Sequence, residues 1–148
     1  MISYQLTADL LVSADITYNN MRAYYQHYGV NWQQSQIKEK IVDLENWDIL
    51  YNASVVGAIR LAFEDNACYI RDLQVNETFQ NNGIGAAAIA ECERLAINAG
   101  VNTLKLRVFK ISPAYNLYKR NGFETDSYSK TINDKEDDNF FYMSKEIS

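Results

Sequence analysis

The sequence of 148 residues contains few of the residues on which common catalytic sites depend. It has one histidine, His27, which excludes a three-histidine zinc site and leaves a single ring for any Ser–His–Asp or Cys–His scheme. The two cysteines, Cys68 and Cys92, lie too far apart for a CxxC pair and are too few for a disulfide framework. These absences predict a reduced, cytoplasmic setting and chemistry without a metal.

Basic residues and long apolar runs are also scarce. The chain has 14 lysines and arginines against 19 acidic residues, a net charge of −5, so it lacks the basic surface of a nucleic-acid-binding protein. No apolar run approaches 18 residues, and residues 1–6 do not form the basic start of a signal peptide, which predicts no membrane association. A hydrophobic content of 47% at this length predicts one globular domain over residues 1–148.

Hydrophobic periodicity predicts the order β-α-α-β-β-β-α-β-α-β-β. The strands are expected at residues 2–6, 47–51, 55–63, 67–75, 103–109, 123–129 and 140–145, and the helices at 16–28, 33–44, 84–99 and 113–121. The first helix has N-cap candidates at residues 13–15, and the charged segment 133–138 is expected to be a solvated loop. A strand–helix–strand unit in the middle predicts a right-handed parallel crossover, hence an α/β fold with a mixed sheet and helices on its faces.

A glycine-containing loop, Gln80–Ala86, precedes the strongest predicted helix. Its glycines allow backbone N–H groups to approach an anion, and the helix start adds unpaired donors, so the segment can hold a phosphate without basic side chains. A tight loop without a ligand is the ordinary alternative. A dinucleotide site is disfavoured because a mostly polar stretch of seven residues precedes Gly83, where that fold has a tight turn, and no acidic residue ends the next strand. A Walker loop is excluded because no Gly-Lys-Ser/Thr follows.

Two segments in register resemble the GCN5-related N-acetyltransferase (GNAT) family. Residues 75–85, VNETFQNNGIG, are similar to its V-x-P-x-x-Q/R-x-x-G-x-G/A motif, with Glu77 in place of proline. Residues 106–123, LRVFKISPAYNLYKRNGF, are similar to its L-x-V-x-x-x-N-P-A-x-x-L-Y-x-x-x-G-F segment, with Ser112 in place of asparagine. The resemblance implies a single-domain, mostly antiparallel mixed sheet whose central parallel strands splay apart.

The resemblance also implies that acetyl-CoA is the cosubstrate and that coenzyme A lies between the splayed strands 67–75 and 103–109. The backbone of the first strand is expected to pair with the pantetheine arm and to polarise the thioester carbonyl, while the glycine loop holds the pyrophosphate. The expected coenzyme-binding residues are Leu73, Gln74, Val75, Gln80, Asn81, Asn82, Gly83, Ile84, Gly85, Ala86, Ser112 and Tyr118.

Catalysis by this family needs a base for the amine and an acid for the leaving thiolate. Tyr118 matches the family tyrosine that approaches the coenzyme sulfur and is the expected general acid, with a core tyrosine as the alternative. Arg107 stands where some members have a glutamate base. The resemblance makes Asp72 the next base candidate, because some aminoglycoside-modifying members have an aspartate at a comparable place; the alternative is an ordinary ion pair with Arg71 or a strand-end residue, and Glu64 and a water chain to backbone carbonyls also remain open.

The first helix of the family borders the acceptor cleft. Tyr24, Tyr25, Tyr28 and Trp32 are therefore candidates for an acceptor wall that could face a cation, or for ordinary helix packing. His27 is expected to be a surface or packing residue, and both cysteines to be core residues.

The sequence thus predicts an N-acetyltransferase in which a primary amine attacks acetyl-CoA directly in a ternary complex. The alternative is a non-catalytic acyl-CoA-binding or regulatory domain. The acceptor is expected to be a small-molecule or protein amine, and the net charge of −5 favours a cationic one. The sequence predicts no nucleic-acid partner; it is compatible with a homodimer.

Overall fold

The computed structural model describes residues 1–126 and 139–147, which form a mixed α/β fold. The strands are β1 Ile2–Leu6, β2 Glu45–Tyr51, β3 Ser54–Glu64, β4 Ala67–Val75, β5 Thr103–Phe109, β6 Glu124–Thr125 and β7 Phe140–Glu146. The helices are α1 Leu10–His27, α2 Gln34–Ile41, α3 Ile84–Asn98 and α4 Ala114–Arg120, with a short 3₁₀ helix at Glu77–Phe79. The predicted element order is confirmed; residues 127–129 and the charged segment 133–138 lie outside the described residues.

The described strands form one sheet in the order β1-β2-β3-β4-β5-β7-β6. Strands β1 to β4 pair antiparallel, as do β5, β7 and β6, and the β4–β5 pair is parallel. This is the fold class that the sequence predicted. Among the described residues, no helix has both the length and the apolar composition needed to cross a membrane.

Helices cover both faces of the sheet. Successive side chains of β3 point to opposite faces and so contact helices on both sides. Ile59 and Leu61 are buried in the main core together with α3 residues such as Ala88 and Cys92. Arg60, between them, points to the other face and binds α1. Helices α1 and α2 enclose a separate small core, so α3 and α1 lie on opposite sides of the sheet.

Helix α1 begins six residues earlier than its periodicity indicated. Asp9 is its N-cap, and the Asp9 carboxylate accepts from the backbone N–H of Leu11 at 2.9 Å. The apolar pattern concealed this start because Leu11 and Val12 are exposed, whereas the polar residues Ser13 and Thr17 are buried. A helix that buries polar residues against partners on a sheet does not show an amphipathic period.

Candidate active site

A cavity of about 1470 Å³ opens where the two parallel strands separate. Pairing between β4 and β5 covers three residue pairs and ends at Ile70 and Leu106. Beyond them, residues 71–75 and 107–109 have no partners across the gap. Ten predicted coenzyme residues line the cavity: Leu73, Gln74, Val75, Gln80, Asn81, Gly83, Gly85, Ala86, Ser112 and Tyr118. The opening between the strands is therefore continuous with the glycine loop.

The two other predicted coenzyme residues, Asn82 and Ile84, do not line the cavity. Ile84 is 2% exposed and belongs to the core, so only its backbone N–H is available to a ligand. The Asn82 side-chain amide donates hydrogen bonds to the carbonyls of Phe79 and Gln80, at 3.4 and 3.3 Å. Asn82 thus stabilises the loop from within.

The first turn of α3 offers backbone donors to an anion. Its N-cap, Gly83, has a φ of +79° and no capping side chain, and the turn contains no acidic residue. Asn81, two residues earlier, also has a positive φ, of 64°. The first N–H groups of a helix have no intrahelical acceptor and carry partial positive charge, so this end suits a phosphate.

The carbonyl of Val75 is engaged within the protein. It accepts from the Asn20 side-chain amide at 2.8 Å and from the Gln80 amide at 2.9 Å. A carbonyl oxygen has two lone pairs, so both are occupied. Strand-like pairing with a pantetheine arm would therefore depend on the backbone of Leu73 and Gln74.

Gly85 allows helices α3 and α4 to pack closely. A Cβ atom at this position would lie 2.9 Å from Leu117 Cδ2, which is closer than side chains normally approach. Leu117 lies next to Tyr118, so the glycine also fixes the position of the tyrosine relative to the loop.

Enlarging Gly85 should therefore weaken coenzyme binding. We expect Gly85→Val to raise the Kd for coenzyme A about tenfold or more, since overpacking that costs about 1–3 kcal/mol must displace the Leu117 side chain and disturb the wall of the cavity beside Tyr118. Isothermal titration calorimetry measures this. The double variant Gly85→Val/Leu117→Ala restores space and should recover most of the affinity; an unchanged Kd in Gly85→Val would contradict the expectation.

Tyr118 lies in the wall of the cavity near Asp72. It is 7% exposed and its ring packs edge-on against Phe123, at 5.5 Å between centroids. Burial, and next the negative charge of Asp72, raise the pKa of the Tyr118 phenol above its usual value of 10. Within the described part of the chain, no hydrogen bond engages its hydroxyl. The phenol is thus a neutral donor available to a ligand.

The Ser112 hydroxyl caps the adjacent helix. Its Oγ accepts from the backbone N–H of Ala114 at 3.1 Å, which leaves the hydroxyl proton for another acceptor. The residue that replaces the family asparagine therefore still presents a donor to the cavity.

Asp72 is held by a polar network whose principal partner is Arg60. The Asp72 carboxylate accepts from Arg60 Nη1 at 2.5 Å, from Thr17 at 2.7 Å and from Gln74 at 2.6 Å. Arg60 is fully buried, whereas the Asp72 side chain is 19% exposed. Arg71, the ion-pair partner considered from the sequence, instead contacts the exposed Glu64 at 2.9 Å.

The network also attaches α1 to the sheet. Arg60 Nη2 donates to the carbonyl and the hydroxyl of Ser13, both at 2.7 Å. Asn20 donates to the Gln74 side chain at 3.1 Å. Ser13, Thr17 and Asn20 recur at helical spacing, so one face of α1 is polar and bonded to β3 and β4. Sequence reasoning missed Arg60, although one arginine within the apolar strand 55–63 was a signal.

The aromatic residues of the predicted acceptor wall all line the cavity. Tyr24 and Tyr28 stack on Phe109 of β5, with centroids 5.8 and 4.7 Å away, and the Lys40 ammonium lies 4.3 Å from the Trp32 ring. Burial, and then the charge of Asp72, raise the pKa of Tyr25 to about 12. The negative charge of Asp72 therefore raises the pKa of both Tyr25 and Tyr118.

Two other residues considered from the sequence lie apart from the cavity. His27 is exposed and packs edge-on against Tyr28, at 4.8 Å. Glu64 is exposed at the end of β3 in its pair with Arg71. Neither is positioned to act on a ligand in the cavity.

Solved structures with this fold include acetyltransferases. The PaiA N-acetyltransferase of Thermoplasma acidophilum, solved with coenzyme A, superposes with a TM-score of 0.77 at 17% identity, over 99% of both chains. The ribosomal-protein-S18-alanine N-acetyltransferase of Escherichia coli gives 0.73 at 18% identity, over 100% of this chain and 95% of that one. A GNAT acetyltransferase of Elizabethkingia anophelis with acetyl-CoA bound gives 0.73 at 18%, over 99% and 98%. These similarities show the fold.

A search of curated protein sequences found no match. The family model described as "Acetyltransferase (GNAT) family" matches residues 14–123, from the first turns of α1 to the end of the second motif. This span includes the glycine loop, the separated strands and Tyr118. The chain therefore belongs to the GNAT acetyltransferase family.

Proposed function

We propose that this protein transfers the acetyl group of acetyl-CoA to a primary amine. The observation that carries the proposal is the separation of β4 and β5 after three residue pairs, directly beside an uncapped helix start. Two of the similar structures contain coenzyme A or acetyl-CoA. The two unpaired, buried cysteines fit a cytoplasmic location.

The residues present fit acetyl-CoA. Backbone N–H groups of residues 81–86 would hold the pyrophosphate, the Leu73–Gln74 backbone the pantetheine, and Ser112 would donate a further hydrogen bond. Acetyl-CoA supplies an acetyl group activated as a thioester. An amide of residues 73–75 would polarise the thioester carbonyl.

The amine nitrogen forms a bond to the acetyl carbon as the carbon–sulfur bond breaks. The proton lost by the amine goes to Asp72, directly or through water, and the departing sulfur takes a proton from the Tyr118 hydroxyl. Asp72 and Glu77 are the carboxylates that line the cavity among the described residues, and Asp72 is the one beside both tyrosines.

Direct attack is favoured because no thiol is available to carry the acetyl group. Burial raises the pKa of Cys68 to about 12 and that of Cys92 further, so neither forms a thiolate near neutral pH. Neither cysteine lines the cavity.

The test is release of coenzyme A thiol from acetyl-CoA with a panel of primary amines. We expect turnover above background hydrolysis and, with both substrates varied, intersecting double-reciprocal lines. Parallel lines would indicate a covalent acetyl-enzyme. Tight coenzyme A binding by calorimetry without thiol release on any amine would favour the alternative, a non-catalytic acyl-CoA-binding domain.

A further inference from the structure

A second cavity, of about 420 Å³, lies beside the first on the sheet. It shares Ile70, Arg71 and Arg107 with the large cavity. Arg71 and Arg107 directly follow Ile70 and Leu106, the last residues paired between β4 and β5. The second cavity therefore begins at the point where the two strands separate.

Positive charge dominates this second cavity. Among the described residues, Arg71, Lys105 and Arg107 line it against one carboxylate, that of Asp126, which accepts a hydrogen bond from Ser144 at 2.6 Å. Lys105 and Arg107 have no carboxylate within ion-pair distance among the described residues. Arg71 has only its exposed pair with Glu64, and such pairs contribute little.

Aromatic rings hold the three cationic groups in place without neutralising them. Arg71 and Lys105 lie over the Tyr69 ring, 4.9 and 5.9 Å from its centroid. The Arg107 guanidinium lies 4.2 Å from the centroid of Phe140, whose ring stacks on Phe109. Cation–π contacts of this kind restrict the head groups, while their N–H donors remain available for an anion.

We propose that the acceptor is a small amine that also carries a carboxylate or phosphate group, and that Arg71, Lys105 and Arg107 bind this anionic group. The inference rests on the proposed function and specifies its substrate class. A concave site of this volume suits a small molecule. The net charge of −5 favours a cationic acceptor, but the positive charges that line this site favour an acceptor with an anionic group.

The first experiment compares matched amines in the thiol-release assay. An α-amino acid is tested against its amide and its decarboxylated amine, and O-phosphoethanolamine against ethanolamine, which separates carboxylate from phosphate recognition. We expect kcat/KM to be at least about tenfold higher for the anionic member of one pair. Equal or better use of the uncharged or cationic members in both pairs would overturn the inference while leaving the proposed function intact.

The second experiment removes the charge. Arg107→Gln should raise the KM for the anionic amine about tenfold or more, with kcat and the KM for acetyl-CoA nearly unchanged, and should reduce the dependence of KM on salt, since Arg71 and Lys105 remain. The control is Lys38→Gln, an exposed cation of α2 that lines neither cavity. Equal KM values in Arg107→Gln and the wild type would reject Arg107 as an anion-binding residue.

A direct binding measurement separates failure of the inference from failure of the proposed function. Calorimetric titration of the anionic amine into the protein saturated with coenzyme A requires no turnover. Binding that is lost in Arg107→Gln supports the inference even if no acetyl transfer is seen. If transfer to neutral amines proceeds but anionic amines neither bind nor react, the inference is wrong.

Discussion

Replacing Tyr118 with phenylalanine is expected to lower kcat about 100-fold while the Kd for coenzyme A changes less than about threefold. A positioned general acid typically raises the rate of the chemical step roughly 10²–10⁴-fold. The lower end applies here because a thiolate, with a thiol pKa of about 8.5, is already a fair leaving group. The phenol is buried in the wall of the cavity, so removal of its hydroxyl takes away a donor and leaves the ring packing against Phe123.

The pH profile adds a second measurement for Tyr118. Burial and the charge of Asp72 raise the pKa of this phenol, so the protonated donor persists to higher pH than for an exposed tyrosine. In the wild type, kcat should therefore not decline through loss of this proton below about pH 10, the ordinary tyrosine value.

The matched control for this prediction is Tyr115→Phe. Tyr115 lies on the same helix, but its ring packs on Phe141, 4.7 Å away, and it does not line the cavity. It should retain kcat. If Tyr118→Phe also retained kcat, Tyr118 would not be the acid; if it lost coenzyme affinity in proportion to rate, its contribution would be to binding.

Replacing Arg60 with methionine is expected to lower the free energy of unfolding by about 3–5 kcal/mol, the range for breaking one partner of a buried ion pair. Arg60 is fully buried and binds Asp72, Thr17 and Ser13. Its removal leaves the Asp72 carboxylate without its charge partner beneath α1. Urea denaturation measures the change.

Two further variants keep this prediction testable if Arg60→Met does not fold. Arg60→Met/Asp72→Asn removes both charges and should recover most of the lost stability, since apolar or neutral replacement of a buried pair is often tolerated. Arg94→Gln, which breaks an exposed pair with Glu91, should change stability by less than about 1 kcal/mol. An Arg60→Met protein as stable as the wild type would show that the pair does not stabilise the fold.

Two more variants, Asp72→Asn and Arg60→Lys, separate two functions of Asp72. A proton acceptor lost in Asp72→Asn lowers kcat across the pH range and removes the acidic limb of the kcat/KM profile. A carboxylate that only holds Arg60 and α1 would lower stability and raise the KM for the amine, and would leave that limb in place. Arg60→Lys keeps the positive charge beside Asp72. It should preserve the stability and the KM for the amine only in part, because a lysine cannot make both pairs of hydrogen bonds that Arg60 makes.

Much of the fold was predictable because its signals are local. Strand β4 was predicted to the residue, and helix α3 began where expected, after Gly83, whose positive φ ends the preceding loop. The motif around Tyr118 was predictable because proline, leucine and glycine mark the ends and packing of a short helix. The glycine loop was predictable because Gly83 and Gly85 flank the first residue of a strongly apolar helix.

The buried polar network and the cationic site were less accessible from sequence. Arg60 and Asp72 are 12 positions apart along the chain, and only the register of β3 against β4 places them opposite each other. Arg71, Lys105 and Arg107 come from strands joined by a crossover helix, so net charge gave no indication that they converge. Such features depend on pairing between distant segments.

The short β4–β5 contact divides the sheet into two blocks that few backbone pairs join. Strands β1 to β4 form one continuous antiparallel block and β5, β7 and β6 a second, and three residue pairs join the two blocks. A ligand strand lying in the gap would bond to the first block through residues 73 and 74 and contact the second through Phe109 and α4. The coenzyme would then connect the two blocks across the gap between them, and the rigidity of the loaded protein would depend on its substrate.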